Sequence, residues 1–401
     1  MWYAGIDWAD RHHDLVVIDE TGRKVAQLRV EHTPEGLAKL VSFLQGIAPL
    51  DQIACILETT HGLLITALLE AGAILYPVNP KTVDRKRKAS GAKTDLIDAY
   101  LLAKHGRSEF ADLRRLEPDS PQIAELKALT RDQDALIQGQ TRLVNQLTAC
   151  LKAYYPAALQ LFSKLQQRSA LLFLQTYPTP QAAQAASLAE IEATLKKGGH
   201  TNPTKAAPKI VATLRQPHLQ ADPVTMRTKA RLTLALVEQL LPLVKQIAEY
   251  DKAITDLFLT HADSQIFESL PGAGKRLAPR LLAEWGDDRR RYPEARCIQA
   301  LAGTCPVPWK SGEYATVHMR FACLKPKRLA LYQFAWQSTR YEPWAEAYYQ
   351  RKRAEGKSHS MAVRALANVW VRVIFALWNK REVYQRATFE EAQRLHARRA
   401  A

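Results

Sequence analysis

No two cysteines stand at CxxC spacing. The five present, Cys55, Cys150, Cys297, Cys305 and Cys323, are scattered, and an odd number does not suit the disulfide framework of a small secreted domain. No basic-then-apolar leader opens the sequence, which reaches a charged residue at Asp7. The most apolar late stretch, residues 361–378, carries Arg364, Asn368 and Arg372, which favours a buried helix over a membrane span. The segment "SLPGAGKRLAPRLLAEWGD" invites a phosphate-loop reading but lacks the GxxxxGK[ST] spacing. Collagen-like and disordered biases are also missing, with 47% hydrophobic and 24% charged residues. These absences argue against a secreted, membrane-spanning or P-loop protein. A reducing, cytoplasmic compartment is expected, with the 401 residues divided among two or three domains.

What is present is a set of four carboxylates. Asp7 in "WYAGIDWAD" and Glu58 in "IACILETTHG" lie at or near the ends of short apolar runs that read as buried strands. Asp95 and Asp98 in "GAKTDLIDAYLLA" open an amphipathic helix three residues apart, on one face. Carboxylates gathered from strands and a helix repel one another unless a cation lies between them. Hard oxygen ligands of this kind suit Mg²⁺ or Mn²⁺, and the pattern points to metal-assisted phosphodiester chemistry. Taken singly, Asp95 reads as a first-turn carboxylate favoured by the helix dipole, and Glu58 as a strand-end cap.

Charge is unevenly placed. Residues 264–401 hold 25 Lys and Arg against 12 Asp and Glu, a net of +13, whereas residues 1–110 hold 13 against 14. A near-neutral acidic-site segment joined to a strongly basic one suggests chemistry at one end and polyanion binding at the other. A merely soluble basic surface is the plainer alternative.

The first hundred residues read as three strands, a helix, a strand, a helix, a strand and a helix. "WYAGIDWA", "DLVVID" and "KVAQLRV" are β-rich runs, with Thr21-Gly22 marking a hairpin. "TPEGLAKLVSFLQG" has a Thr-Pro helix start and a Gly end, and "QIACILE" suits a strand covered on both faces. This is the ribonuclease H-like order, so the expected fold is α/β over residues 1–110. The basic connection after it, with Arg85, Lys86, Arg87, Lys88 and Lys93, reads as a phosphate clamp or as a solvated loop.

Residues 111–263 read as helical. Leu129, Leu136, Leu143 and Cys150 recur every seven residues, beside a companion seam of Leu126, Gln133, Gln140 and Leu147. A second seam runs Leu236, Leu240, Leu243, Ile247, Tyr250, Ile254 and Leu257. These are coiled-coil spacings. Pro242 is expected to kink the second helix or mark its working start. Gln133 and Gln140 would sit poorly in a closed apolar core, so pairing both within and between chains is expected. Between the seams, residues 178–222 are rich in Pro, Ala, Gln and Lys and read as a partly loose helical insertion or a linker.

In the basic segment 264–401, Pro271-Gly272 and Gly274 are placed to turn the chain as in a helix-hairpin-helix. Backbone N–H groups would then meet a phosphate, with Lys275 and Arg276 adding charge. Further on, Ser311-Gly312 lies among Lys310, Arg320, Lys325, Lys327 and Arg328, which could hold a scissile phosphate. A lone Ser-Gly is more often a turn than a nucleophile.

Together, "GIDWADRHHDLVVID", "LETTHG", "AKTDLIDAYLLA", "LPGAGKRLAPRLLAEWGD" and "LAGTCPVPWKSG" resemble the DEDD-type, RuvC-like transposases of bacterial insertion sequences, which carry a C-terminal serine domain. The resemblance covers residues 1–110 and 264–380. It implies a metal-binding role for Asp7, Glu58, Asp95 and Asp98 and a nucleophile role for Ser311. It also implies a recombinase guided by a structured (bridge) RNA and acting on donor and target DNA. Dimers or tetramers are implied too, one subunit's serine completing another's metal site. Where family members often read Ser-Ser-Gly-Gly, this sequence reads Lys310-Ser311-Gly312-Glu313.

Overall fold

Strands β1 (Trp2–Trp8), β2 (His12–Ile18) and β3 (Lys24–Glu31) form an antiparallel meander, and β4 (Ile53–Leu57) and β5 (Ile74–Pro77) add in parallel beside β1. The order β3-β2-β1-β4-β5 is that of ribonuclease H-like folds. This is a computed structural model; it describes residues 1–84 and 94–391. The chain falls into two compact units, Met1–Pro118 and Asp119–Ala401. The helical segment and the basic C-terminal segment, expected as separate domains, therefore share one unit. Arg85, Lys86, Arg87, Lys88 and Lys93 lie outside the described residues.

In the first unit the sheet is covered on both faces. One face packs on helices α1 (Pro34–Gln45) and α2 (Leu63–Glu70) through Ile6, Leu15, Val17, Leu57, Leu40 and Leu68. Thr33 caps α1 by accepting the Gly36 N–H, as the Thr-Pro signal requires. After the short helix α3 (Pro80–Asp84), helix α4 (Asp95–Ser108) covers the other face with Ala99, Leu102 and Ala103 against Tyr3, Val16 and Ile56. Thr94 caps α4 by accepting the Ile97 N–H.

The second unit is built on a long antiparallel pair, α5 (Pro121–Tyr154) and α11 (Pro223–Leu259). Gln122 reaches Thr260 at one end and Tyr154 reaches Thr233 towards the other. Gln133 is buried, contrary to the expectation that it would resist a closed core; its amide donates to Asp251 Oδ1 at 2.8 Å, which satisfies it. Pro242 neither ends nor restarts α11: it lies on the exposed side, where water can take the carbonyl it leaves unbonded.

At one end of the pair, α6 (Ala158–Leu161), α7 (Arg168–Thr176), α8 (Pro180–Ala185), α9 (Leu188–Lys197) and α10 (Pro203–Leu214) enclose a core of Phe173, Leu174, Ile191, Leu195 and Ile210. The region expected as a partly loose helical insertion or a linker is helical, but packed into a lobe rather than loose. Its prolines mislead because Pro180, Pro203 and Pro223 each start a helix behind a capping Thr179, Asn202 or Asp222. At the other end, Ile123, Leu126, Ile254 and Phe258 share a core with α12 (Ser264–Glu268), α13 (Gly274–Trp285), α14 (Ala295–Leu301), α15 (Lys325–Ser338), α16 (Pro343–Ala354) and α17 (His359–Lys380). Helix α17 is apolar and long enough to cross a membrane, but Leu366, Trp370, Ile374 and Trp378 are fully buried in this core. A hairpin of β6 (Val307–Ser311) and β7 (Tyr314–His318) projects between α14 and α15 in sequence.

Candidate metal centre and nucleic-acid surface

Strand parity gathers the acidic side chains. Asp7 lies opposite Asp14, and Asp14 opposite Arg29, so the three line up across β1, β2 and β3 on one face. Tyr3 and Gly5 pair with Ala54 and Ile56 of β4, and the same alternation brings Glu58, just past the strand, to that face. This is the face covered by α4, whose first turn carries Asp95 and Asp98. Close approach is permitted by two glycines: a Cβ on Gly5 would sit 1.9 Å from the Ala99 carbonyl oxygen, and one on Gly106 would sit 2.3 Å from Ile56 Cδ1.

The electrostatics show how crowded the group is. Asp7 is pushed up to about 6, first by partial burial and then by the negative charges of Asp98, Asp95, Glu58 and Asp14. Asp7 and the four carboxylates that act on it form an oxygen-only donor set, which fits a hard divalent cation. Of the acidic residues anticipated from the sequence, Glu58, Asp95 and Asp98 each act on Asp7 in the fold.

Asp14 was not anticipated, nor were its partners. Its side chain is 1% exposed and receives three hydrogen bonds from Arg29, Nε to Oδ1 at 3.0 Å and to Oδ2 at 3.2 Å, and Nη2 to Oδ2 at 2.8 Å. Arg29 Nη2 also reaches Asp95 Oδ2 at 3.0 Å, and His12 Nε2 lies 3.2 Å from the same oxygen. Asp95 is therefore engaged by a guanidinium rather than poised solely for metal. Arg29 and Asp95 are each more than half exposed, so water screens this pair and a multivalent cation can compete for the carboxylate. The donor atoms of His12, Asp14 and Asp95 lie within 4.8 Å of one another, a second grouping able to hold an ion. The available signal was one acidic residue inside "HHDLVVI", in phase with Val16 and Ile18.

The basic residues of the second unit divide. Lys275, Lys310 and Lys325 are exposed, and Arg320 is half-buried. Lys327, expected to bind phosphate, is 3% exposed with its Nζ donating to the Tyr292 hydroxyl at 3.3 Å, and burial lowers its pKa. It fails as a surface contact because the helix phase of α15 turns it inward beside Ala330 and Leu331. Arg276 is held by both oxygens of Asp251, at 2.8 and 2.6 Å. Arg328 donates to the backbone carbonyls of Arg320 and Ala302, which ties down the loop after the hairpin. Gly272 takes φ +82 in the turn between α12 and α13, where a Cβ would lie 2.7 Å from the Tyr341 ring, and Gly274 takes φ +58 at the exposed start of α13. Ser311 ends β6 at an exposed hairpin tip, and Gly312 supplies the positive φ, +58, of its two-residue loop.

Comparison with known proteins agrees with this layout. Residues 4–156 match a family model described as a transposase, the DEDD type of IS110 elements, and residues 264–350 match the model described as "Transposase IS116/IS110/IS902 family". A mini-circle protein of Streptomyces coelicolor named as the transposase for IS117 is 34% identical over 91% of this chain and 91% of its own length. The chain belongs to the IS110/IS116 transposase family. An uncharacterized 42 kDa protein of insertion element IS900 from Mycobacterium paratuberculosis is 29% identical over 96% of this chain and 98% of its own. Among solved structures, Thermus thermophilus RuvC in complex with a Holliday junction substrate matches with 18% identity, 29% coverage of this chain, 99% of that chain and a TM-score of 0.23. A likeness of that strength adds nothing to the strand order described above.

Proposed function

We propose that this transposase-family protein is a DNA recombinase that cuts and rejoins strands of an insertion element, using a metal held by Asp7, Glu58, Asp95 and Asp98 and the hydroxyl of Ser311. The observation that carries this reading is the gathering of Asp7, Glu58, Asp95 and Asp98 on the sheet face under α4, where burial and the neighbouring carboxylates push Asp7 up to about 6 and a divalent cation would offset both. Mg²⁺ or Mn²⁺, when bound, supplies polarisation of the scissile phosphate and a lowered pKa for the attacking hydroxyl. Ser311 would give up its hydroxyl proton as Oγ bonds to phosphorus and the bond to the leaving deoxyribose oxygen breaks, and the leaving oxygen would take up one proton in exchange. The phosphoserine ester conserves the bond energy, so the reverse step with a new strand end seals the exchanged junction. Lys275, Lys310, Arg320 and Lys325 hold the backbone, a contact that fixes register rather than sequence.

A nicked suicide substrate tests the serine. A covalent protein–DNA adduct is expected, absent in Ser311→Ala and in Asp95→Asn, with DNA binding retained by both. Full cleavage by Ser311→Ala would instead favour a structure-selective endonuclease that activates water, while normal transposition with Asp95→Asn would leave only a nucleic-acid scaffold.

Sequence choice by a structured guide RNA, and assembly as dimers or tetramers, belong to the same proposal and rest on the resemblance. Sequencing RNA that co-purifies with the protein is expected to yield one non-coding species from the element's flank; random fragments alone would reject guidance.

A further inference from the structure

The β6–β7 hairpin exposes two large aromatic rings, Trp309 and Tyr314, and the register says where they point. Ser311 pairs with Tyr314, Trp309 with Thr316 and Val307 with His318, so these side chains share one face. The Trp309 and His318 rings, 5.2 Å apart, confirm it. On that face Tyr314 stands directly across from Ser311, and Trp309 stands two residues before it on the same strand. Both rings are open to solvent, Trp309 at 62% and Tyr314 at 68%. No further strand pairs with the hairpin among the described residues. An isolated hairpin is marginal in water, so a bracket of two bare rings around one hydroxyl is built to be covered.

The charge says by what. Lys310, Arg320 and Lys325 lie near the rings in sequence and Glu313 is the sole acidic residue between 306 and 325, within a segment of net charge +13. A flat aromatic face beside cations matches the stacked bases and phosphates of an unpaired strand. A paired duplex hides its base faces and offers such rings nothing.

We propose that Trp309 and Tyr314 form a stacking bracket for unpaired DNA bases on either side of the phosphate presented to Ser311. This rests on the reading of Ser311 as the attacking group only for its position; the stacking itself does not require the serine to react. Strand exchange must unpair bases next to the break, and the bracket would hold those bases while the phosphate stays at the hydroxyl. The two rings are positioning residues that act on the substrate's bases.

The test uses the full-length Ser311→Ala protein, so that chemistry and stacking separate. The probes are a DNA duplex with a short unpaired bubble carrying 2-aminopurine and the same duplex fully paired. Preferential binding of the bubble is expected, with quenching of the 2-aminopurine signal. Trp309→Ala and Tyr314→Ala should each weaken bubble binding about tenfold or more while leaving the paired duplex within twofold. Trp309→Phe should restore most of the loss and the quench. Because both rings are exposed, circular dichroism and thermal midpoints should not move. Equal loss on both duplexes, or unchanged bubble binding in the double variant, would overturn the proposal. So would a change of sedimentation in the double variant with DNA binding intact, which would make the face a contact between copies of the chain.

Discussion

Asp7→Asn is expected to abolish strand cleavage and yet raise the thermal midpoint of the metal-free protein. Asp7 ionises near 6 in the fold against 3.8 as an ordinary aspartate, so at neutral pH the fold carries an ionised group it disfavours. A shift of this size corresponds to about 3 kcal/mol for a fully buried group, and solvent screening of a part-buried carboxylate brings it to about 1–2 kcal/mol. The sign follows from linkage. Above pH 6 the penalty is fully present; below pH 3.8 the group is protonated folded and unfolded, and the penalty is gone. The gain from asparagine should therefore be largest at pH 7–8 in chelator, shrink as pH falls through 6 and vanish near 4. Saturating Mg²⁺ should invert the ranking, because the cation stabilises only the protein that binds it. Activity should fall by at least about a hundredfold, the upper end of what loss of a supporting partner costs at a metal site. Thermal unfolding in chelator and in Mg²⁺, beside a cleavage assay, checks all of this. A destabilised metal-free variant, or one that still cleaves, would remove the acidic cluster from the reaction.

Gly5→Ala is the second large effect, and its origin is steric. The added methyl carbon would meet the Ala99 carbonyl oxygen at 1.9 Å, the Ala103 nitrogen at 2.4 Å and Leu102 Cβ at 2.9 Å, all parts of α4 that cannot swing aside. Either the helix lifts off the sheet or the strand moves, and both break the packing of Tyr3, Val16, Ala99 and Leu102. A loss above about 3 kcal/mol is expected, beyond ordinary overpacking because backbone rather than side chain must yield. Asp95 and Asp98 ride on the same helix, so the fraction that still folds should bind Mn²⁺ more weakly. Gly139→Ala in α5 serves as the control: its Cβ would find only Arg142, at 3.8 Å, and a small gain of up to about 1 kcal/mol is expected. Equal midpoints for Gly5→Ala and the parent protein would overturn the steric account of the α4–β1 approach.

Much of the first unit was legible because its signals are local. Strand runs, the Thr33-Pro34 helix start and the Gly22 turn act over a few residues, and each appears where the sequence places it. The proline-rich stretch from 178 to 222 is helical as its sequence suggests, but its close packing was not legible, for the opposite reason. A proline that breaks a helix and a proline that begins one look alike until the capping residue before it is weighed together with the apolar spacing after it. Gln133 and Lys327 were misjudged by type: a polar residue is buried cheaply when one partner waits for it, and Asp251 and Tyr292 come from elsewhere in the chain.

From the linear order alone came the α/β character of the first unit, the long helices, the basic C-terminal segment and the acidic positions, since propensity, periodicity and composition are properties of neighbouring residues. Three-dimensional packing alone decided that Asp14 and Arg29 join the acidic group, that Lys327 turns inward and that Trp309 and Tyr314 flank Ser311. Those facts depend on strand register and helix phase, which arise only when distant segments meet and exclude every other alignment.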